Sequence, residues 1–296
     1  RQQQQPPQQQ QQEEQPQQPS SSPPPPPPAQ QQQQHAQRGH IGTIFINLSS
    51  RADRRAALEA VLPDVGLKAA TRFAALTSGD ALEGDVQLTW DTALNARFDR
   101  NCQVDRVLSM SKGERGCAAS HVALWRQCVA SEAPLLVLED DVVFSSPRVG
   151  EWTCCLVSVV EAALAPAERS VVLYLGAEAE LRAGAPTLRG KQAIWAARTK
   201  RVGCELREAL WAWQTHAYVL WPAAARILLA GLPVDAPVDV YLSRHYHERR
   251  LCGLVCEPML ATQADPYCGG DVEHSSLRDR ERMCGWGAGC RRRQAS

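Results

Sequence analysis

Residues Leu135–Val142 read Leu-Leu-Val-Leu-Glu-Asp-Asp-Val, an aliphatic run that stops at three consecutive carboxylates. A short unbroken apolar run bounded by Pro134 and by charge predicts a strand buried on both faces. Three acids at the end of such a strand carry a desolvation cost that something positive must offset. Strand side chains alternate between faces, so Glu139 and Asp141 are expected on one side and Asp140 on the other. Two oxygen donors on one face, at the carboxyl end of a buried strand, suit a divalent cation carrying a phosphorylated ligand. A solvated loop start, or an acid paired with an arginine, accounts for the same residues.

The surrounding pattern alternates strand and helix. Ile41–Leu48 predicts a first strand ending at Asn47, and Ser49–Arg55 opens a helix through Leu58, Val61 and Leu62 to Pro63. Ser111 followed by Glu114 is a capping box, which by itself explains Glu114. The helix it opens buries Cys117, Val122, Leu124, Trp125 and Cys128, with His121 two turns beyond Glu114 on nearly the same face. A lone helical histidine is more often a packing residue than a ligand. Trp152–Leu164 has helical periodicity, Val171–Gly176 and Ala217–Leu220 read as strands, and Pro222 starts a helix running to Gly231. Residues 177–208 are rich in Ala, Gly and charge, and their pattern assigns no clear structure. Strands alternating with helices imply an α/β fold with a mainly parallel, doubly wound sheet.

Residues 1–38 are Gln, Pro and Ser with almost nothing apolar, so they are expected to form a disordered arm, extended where the prolines run to Pro28. A folded domain is expected over 39–277 and a Cys/Arg-rich tail over 278–296. The 32 basic and 32 acidic residues cancel, which speaks against a nucleic-acid partner. No apolar run approaches the roughly 18 residues of a membrane span. The chain starts at Arg1 rather than Met and reads as a fragment, so any signal or membrane anchor would lie in a missing segment. Eleven cysteines, five of them at Cys252, Cys256, Cys268, Cys284 and Cys290 in apparent Gly-rich loops, predict disulfides and the lumen of the secretory pathway (ER or Golgi) over the cytoplasm. Zinc competes with that reading, but paired Cys-x-x-Cys spacing is lacking.

Taken in order, several segments resemble the family 25 glycosyltransferases, which include lipooligosaccharide and collagen galactosyltransferases. They are Ile46-Asn47-Leu48 with Asp53-Arg54-Arg55, Arg72-Phe73-Ala74-Ala75, and Ser111 to His121 with its Gly-Glu-x-Gly-Cys-x-x-Ser-His block. Leu136 to Val142, Tyr174-Leu175-Gly176, Thr215-His216-Ala217-Tyr218 and Pro237-Val238-Asp239 complete the series. The family usually has Gln where this chain has His216, which puts a hydrogen bond there in doubt.

The resemblance implies a GT-A type nucleotide-sugar fold, a UDP-sugar donor, and a Mn2+ (or Mg2+) ion. It implies transfer of a sugar, most simply galactose, to a protein or glycan acceptor with inversion. Carried over residue by residue, it places donor contacts at Asn47, Arg54, Ala74, Glu114, His121 and Glu139, and metal ligands at Glu139, Asp141 and His274. Asp239 is the expected base for the acceptor hydroxyl and Asp271 the second choice, Asp239 also being a natural helix N-cap. Asp140, on the opposite face, is expected to pair with Arg54 or another base, or to bind metal if the chain turns there. An inactive family member that binds a nucleotide or glycan is the alternative.

Overall fold

The computed structural model describes residues 41–81, 84–95, 108–145, 152, 156, 157, 159, 160, 163, 170–182 and 205–264. The expected arm, the tail, Asp271, His274 and Cys268, Cys284 and Cys290 lie outside these residues.

Among the described residues ten strands are formed: β1 Gly42–Asn47, β2 Thr71–Ala74, β3 Leu135–Glu139, β4 Val142–Phe144, β5 Val171–Tyr174, β6 Glu178–Leu181, β7 Glu205–Trp213, β8 Ala217–Leu220, β9 Cys252–Glu257 and β10 Ala261–Gln263. Eight make one sheet in the order β2-β1-β3-β8-β5-β9-β7-β6, and β4 pairs with β10 in a separate ribbon. Contacts β1–β2, β1–β3 and β5–β9 are parallel, while β8 and β7 each run against both neighbours. Six of the eight strands therefore share one direction, as a mainly parallel sheet requires, with two reversed strands inserted.

Five helices have bounds among the described residues: α1 Ala52–Val61, α2 Thr92–Asn95, α3 Lys112–Ser131, α4 Pro222–Ala230 and α5 Val238–His247. Strand alternation sends side chains into two cores, one on each face of the sheet. Ile44, Ile46, Leu135, Val137, Tyr218 and Leu220 meet α3, α4 and α5 on one face. Phe45, Leu136, Leu138, Ala217 and Val219 meet Leu58 of α1 and the helical Trp152, Leu156, Val159, Val160 and Ala163 on the other. Burying side chains of this size contributes about 1.5–3 kcal/mol each, which is why the central strands hold almost no polar residue before Glu139.

One expectation is corrected and one open stretch is filled. Cys252 and Cys256 lie in strand β9 rather than in loops, and the buried Cys256 thiol donates to the Leu175 carbonyl at 3.1 Å. The 177–208 stretch, whose pattern assigns no clear structure, contributes β6 and the start of β7. Among the described residues no helix is long and apolar enough to cross a membrane.

Candidate active site

The site forms where β1, β3 and the N-terminus of α3 come together, at the carboxyl ends of two parallel strands. A cavity of about 350 Å³ opens there, within the size range of small-ligand pockets. Its walls include Asn47 and Arg54 on one side, Lys112, Gly113, Cys117 and His121 on the helix side, and Glu139, Asp140 and Asp141 between.

The Gly-Glu-x-Gly-Cys-x-x-Ser-His block has a separate physical reason at nearly every position. Ser111 and Glu114 form the reciprocal cap, with Ser111 N–H donating to Glu114 at 2.8 Å and Glu114 N–H to Ser111 Oγ at 3.1 Å. Gly116 faces the loop after β2, and a Cβ there would lie 2.6 Å from the Leu76 carbonyl oxygen. One turn later the buried Ser120 Oγ accepts from Leu76 N–H at 2.9 Å and donates to Gly116 C=O at 2.8 Å. The loop is thus clamped onto the helix, leaving Cys117 and His121 to line the cavity.

His121 is fully buried, and both ring nitrogens are engaged. Its Nδ1 lies 2.8 Å from Tyr218 Oη and its Nε2 lies 3.2 Å from Glu139 Oε1. Trp125 Nε1 donates to the same Tyr218 oxygen at 3.2 Å. If the Tyr218 hydroxyl donates to Nδ1, the neutral imidazole presents its proton on Nε2 to the carboxylate, and each group in the chain is satisfied. Thr215 Oγ1 donates to Glu139 Oε1 at 2.6 Å, and Glu139 N–H donates to the His216 carbonyl at 2.9 Å. Burial pushes the Glu139 carboxyl up, but these hydrogen bonds and the nearby imidazoles outweigh it and hold the group below its ordinary range.

The strand ends at Glu139, and Asp140 and Asp141 occupy a turn into β4. Strand alternation therefore stops one residue too early to turn Asp140 away, and all three acids border the cavity. Asp140 pairs with Arg54 at 3.0 Å and accepts from Asn47 Nδ2 at 2.7 Å. Asn47 is itself fixed, accepting from Arg72 Nε at 2.9 Å. Asp141 Oδ2 accepts from Gln263 Nε2 at 2.9 Å, while its Oδ1 is buried with no hydrogen-bond partner among the described residues. Burial, then the charge of Glu139, push the Asp141 carboxyl up to about 6.

Residues 40–156 match the sequence model of Glycosyltransferase family 25 (LPS biosynthesis protein). A human relative, "Inactive glycosyltransferase 25 family member 3", is 30% identical over 266 residues, covering 81% of this chain and 39% of its own length. The chain carries a glycosyltransferase family 25 domain. A Bos taurus relative, "Probable inactive glycosyltransferase 25 family member 3", is 31% identical over 193 residues, 60% of this chain and 29% of its own. The chain thus spans well under half the length of the curated relatives it matches. Among solved structures, the mannose-1-phosphate geranyltransferase of Thermus thermophilus aligns with a TM-score of 0.29 and 12% identity, over 73% of this chain and 72% of that one.

Within the family 25 domain, Asn47, Arg54, His121, Glu139 and Asp141 converge on one cavity. Glu114 stays at its cap and Ala74 is exposed at the end of β2, where Ala75 instead lines the cavity. Asp239 lies half-buried in the first turn of α5, after Pro237 at the N-cap, and accepts from Val240 N–H at 2.9 Å and Gln214 N–H at 3.5 Å. It does not line the cavity, yet after desolvation and the charge of Glu139 its own charge helps to keep the Cys117 thiol well above its ordinary value. Thr215 and Gln263 reach the acids from 76 and 122 residues away, so no local spacing announces them. His216 is buried, and among the described residues neither ring nitrogen finds a partner of hydrogen-bond geometry. Burial lowers its pKa, against the opposing pull of Glu139 and the Ala261 carbonyl.

Proposed function

We propose that this domain, a GT-A type nucleotide-sugar fold, binds a UDP-sugar in the cavity at the ends of β1 and β3. It transfers the sugar, most simply galactose, with inversion to a protein or glycan acceptor. The observation that carries this reading is the Asp141 Oδ1 oxygen, buried beside Glu139 and without a partner among the described residues. A buried carboxylate oxygen left in this state is costly unless a cation meets it. Glu139 and Asp141 are the residues that would hold Mn2+ or Mg2+, both being oxygen donors suited to hard ions. Such a cation, when bound, stabilises the negative charge that develops on a diphosphate leaving group. Arg54, positioned by Asp140, and Lys112 at the start of α3 place positive charge on the walls for the donor's phosphates. Asp239 is the proposed base for the acceptor hydroxyl, with Asp271 the second choice, and His274 a proposed further metal ligand. The secretory lumen is the proposed setting.

A second reading, a domain that binds the nucleotide or a glycan without transfer, is favoured by two observations. Both curated relatives are named inactive or probably inactive. Glu139 Oε1 is already held by both His121 and Thr215, and the two oxygens of Asp140 by Arg54 and Asn47, so internal partners already occupy part of the acidic cluster.

A screen of UDP-sugars with manganese, reading UDP release with and without a collagen-like peptide, separates the two. Transfer predicts acceptor-stimulated UDP release that falls at least a hundredfold on replacing both Glu139 and Asp141 with Ala. Calorimetric binding of UDP-sugar with no release under any condition establishes the second reading. Full metal-dependent activity in the double variant removes the acids from the mechanism.

A further inference from the structure

We infer that Cys117, His121 and Glu139 form a site for a thiophilic divalent cation such as zinc, distinct from the hard-ion pair Glu139–Asp141. Cys117 and His121 are four residues apart on α3 and so share one face, one turn from each other. Glu139 projects from the β3 face that packs against α3 and meets them. One ligand atom from each lies within 4.8 Å of the other two. Zinc bond lengths of about 2.0–2.3 Å put tetrahedral ligand atoms about 3.3–3.8 Å apart. The His121 Nε2–Glu139 Oε1 distance of 3.2 Å is already close to that separation. The thiol needs to close by at most about 1.3 Å, a side-chain adjustment, to complete the triangle.

Three further features fit. Tyr218 holds His121 Nδ1, which aims Nε2 at Glu139, the outer-shell restraint that metal-binding imidazoles ordinarily have. All three residues line the same cavity, so a fourth coordination position opens onto it. A thiolate, an imidazole and a carboxylate together favour zinc over manganese or magnesium, whereas the all-oxygen pair favours the reverse. On binding, the Cys117 S–H bond breaks, a metal–sulfur bond forms and the proton leaves to solvent, while the His121 proton moves from Nε2 to Nδ1, where Tyr218 Oη accepts it, so that the Nε2 lone pair meets the ion. Both sites claim Glu139, so filling the thiophilic site withdraws a ligand from the other. The ligand atoms alone carry this inference, whether or not a UDP-sugar is the donor.

Cobalt(II) titration of the full chain, freed of metal by chelation, tests it. One equivalent is expected to produce a thiolate-to-cobalt charge-transfer band in the near ultraviolet and the intense visible absorption of a four-coordinate ion. Cys117→Ser should lose the charge-transfer band and bind at least tenfold more weakly, while Asp141→Asn should keep both bands. An unchanged band in Cys117→Ser, or its loss in Asp141→Asn, overturns the assignment. Should Cys117→Ser fail to fold, cadmium NMR of the unaltered protein decides. A resonance in the one-sulfur range supports the site, and resonances only in the sulfur-free or several-sulfur ranges overturn it. A protein that gives these cobalt spectra yet binds no UDP-sugar refutes the donor reading and leaves this one standing.

Discussion

At the scale of single residues, Asp141 carries the sharpest consequence. Its carboxyl is raised from an ordinary 3.8 to about 6, so the folded state holds this proton more tightly than the unfolded chain. Stability then falls as pH rises from about 4 to about 6 and is level above that. Asp141→Asn removes the cost of ionisation. It is expected to raise stability by about 1–2 kcal/mol at pH 7.5, the full shift discounted for partial exposure, and by almost nothing at pH 4. Denaturant midpoints at the two pH values measure this, and an equal shift at both would contradict it. His216 behaves in the opposite sense. Its pKa is lowered by burial, so the unfolded chain takes up the proton first and stability is lost as pH falls below about 6.5. His216→Gln should flatten the stability profile between pH 7 and pH 5 while changing little at pH 8.

At the scale of elements, the clamp between α3 and the loop after β2 is the joint that shapes the cavity. Gly116→Ala would press a methyl carbon to 2.6 Å from the Leu76 carbonyl oxygen, at a cost of about 1–3 kcal/mol. Ser120→Ala leaves the Leu76 N–H without its acceptor, at about 1–3 kcal/mol. Because both changes loosen the same joint, the double variant is expected to lose less than the two separate losses added, which equilibrium unfolding of all three would show. The elements around this joint were legible because local rules determine them. A capping box, a helical apolar stripe and a short aliphatic run each specify one structure within about ten residues. What was not legible depends on long-range pairing. Strand β7 carries Glu205, Arg207 and Glu208 and is a strand because β9 and β6 flank it. The direction of Asp140 was misread because alternation holds only while the strand continues, and β3 stops at Glu139.

At the scale of the whole molecule, α5 is anchored to the preceding loops by a buried ion pair. Arg244 Nη1 meets Asp235 at 2.8 and 3.0 Å and donates to Asn95 at 3.0 Å, all three residues being almost wholly inaccessible. Arg244→Met strands the Asp235 carboxylate and is expected to cost about 3–5 kcal/mol, read as a lowered denaturation midpoint. Replacing Arg244 and Asp235 together with apolar residues should recover much of that loss. The candidate site has the same divided origin as the fold. Its acids and histidine were readable from adjacent motifs, while Thr215 and Gln263 enter through topology alone. The ribbon of β4 with β10 brings Gln263 to Asp141, and Ala264 N–H donates to the Asp141 carbonyl at 2.8 Å. The match to the family's sequence model ends at residue 156, before β5, β8, β9 and β10 are made. A fragment cut to that segment would leave the β3 edge bare where β8 pairs with it, and Asp141 without its amide partner. The pocket is therefore closed by chain far beyond the matched segment, and a piece that retains it extends at least to Ala264.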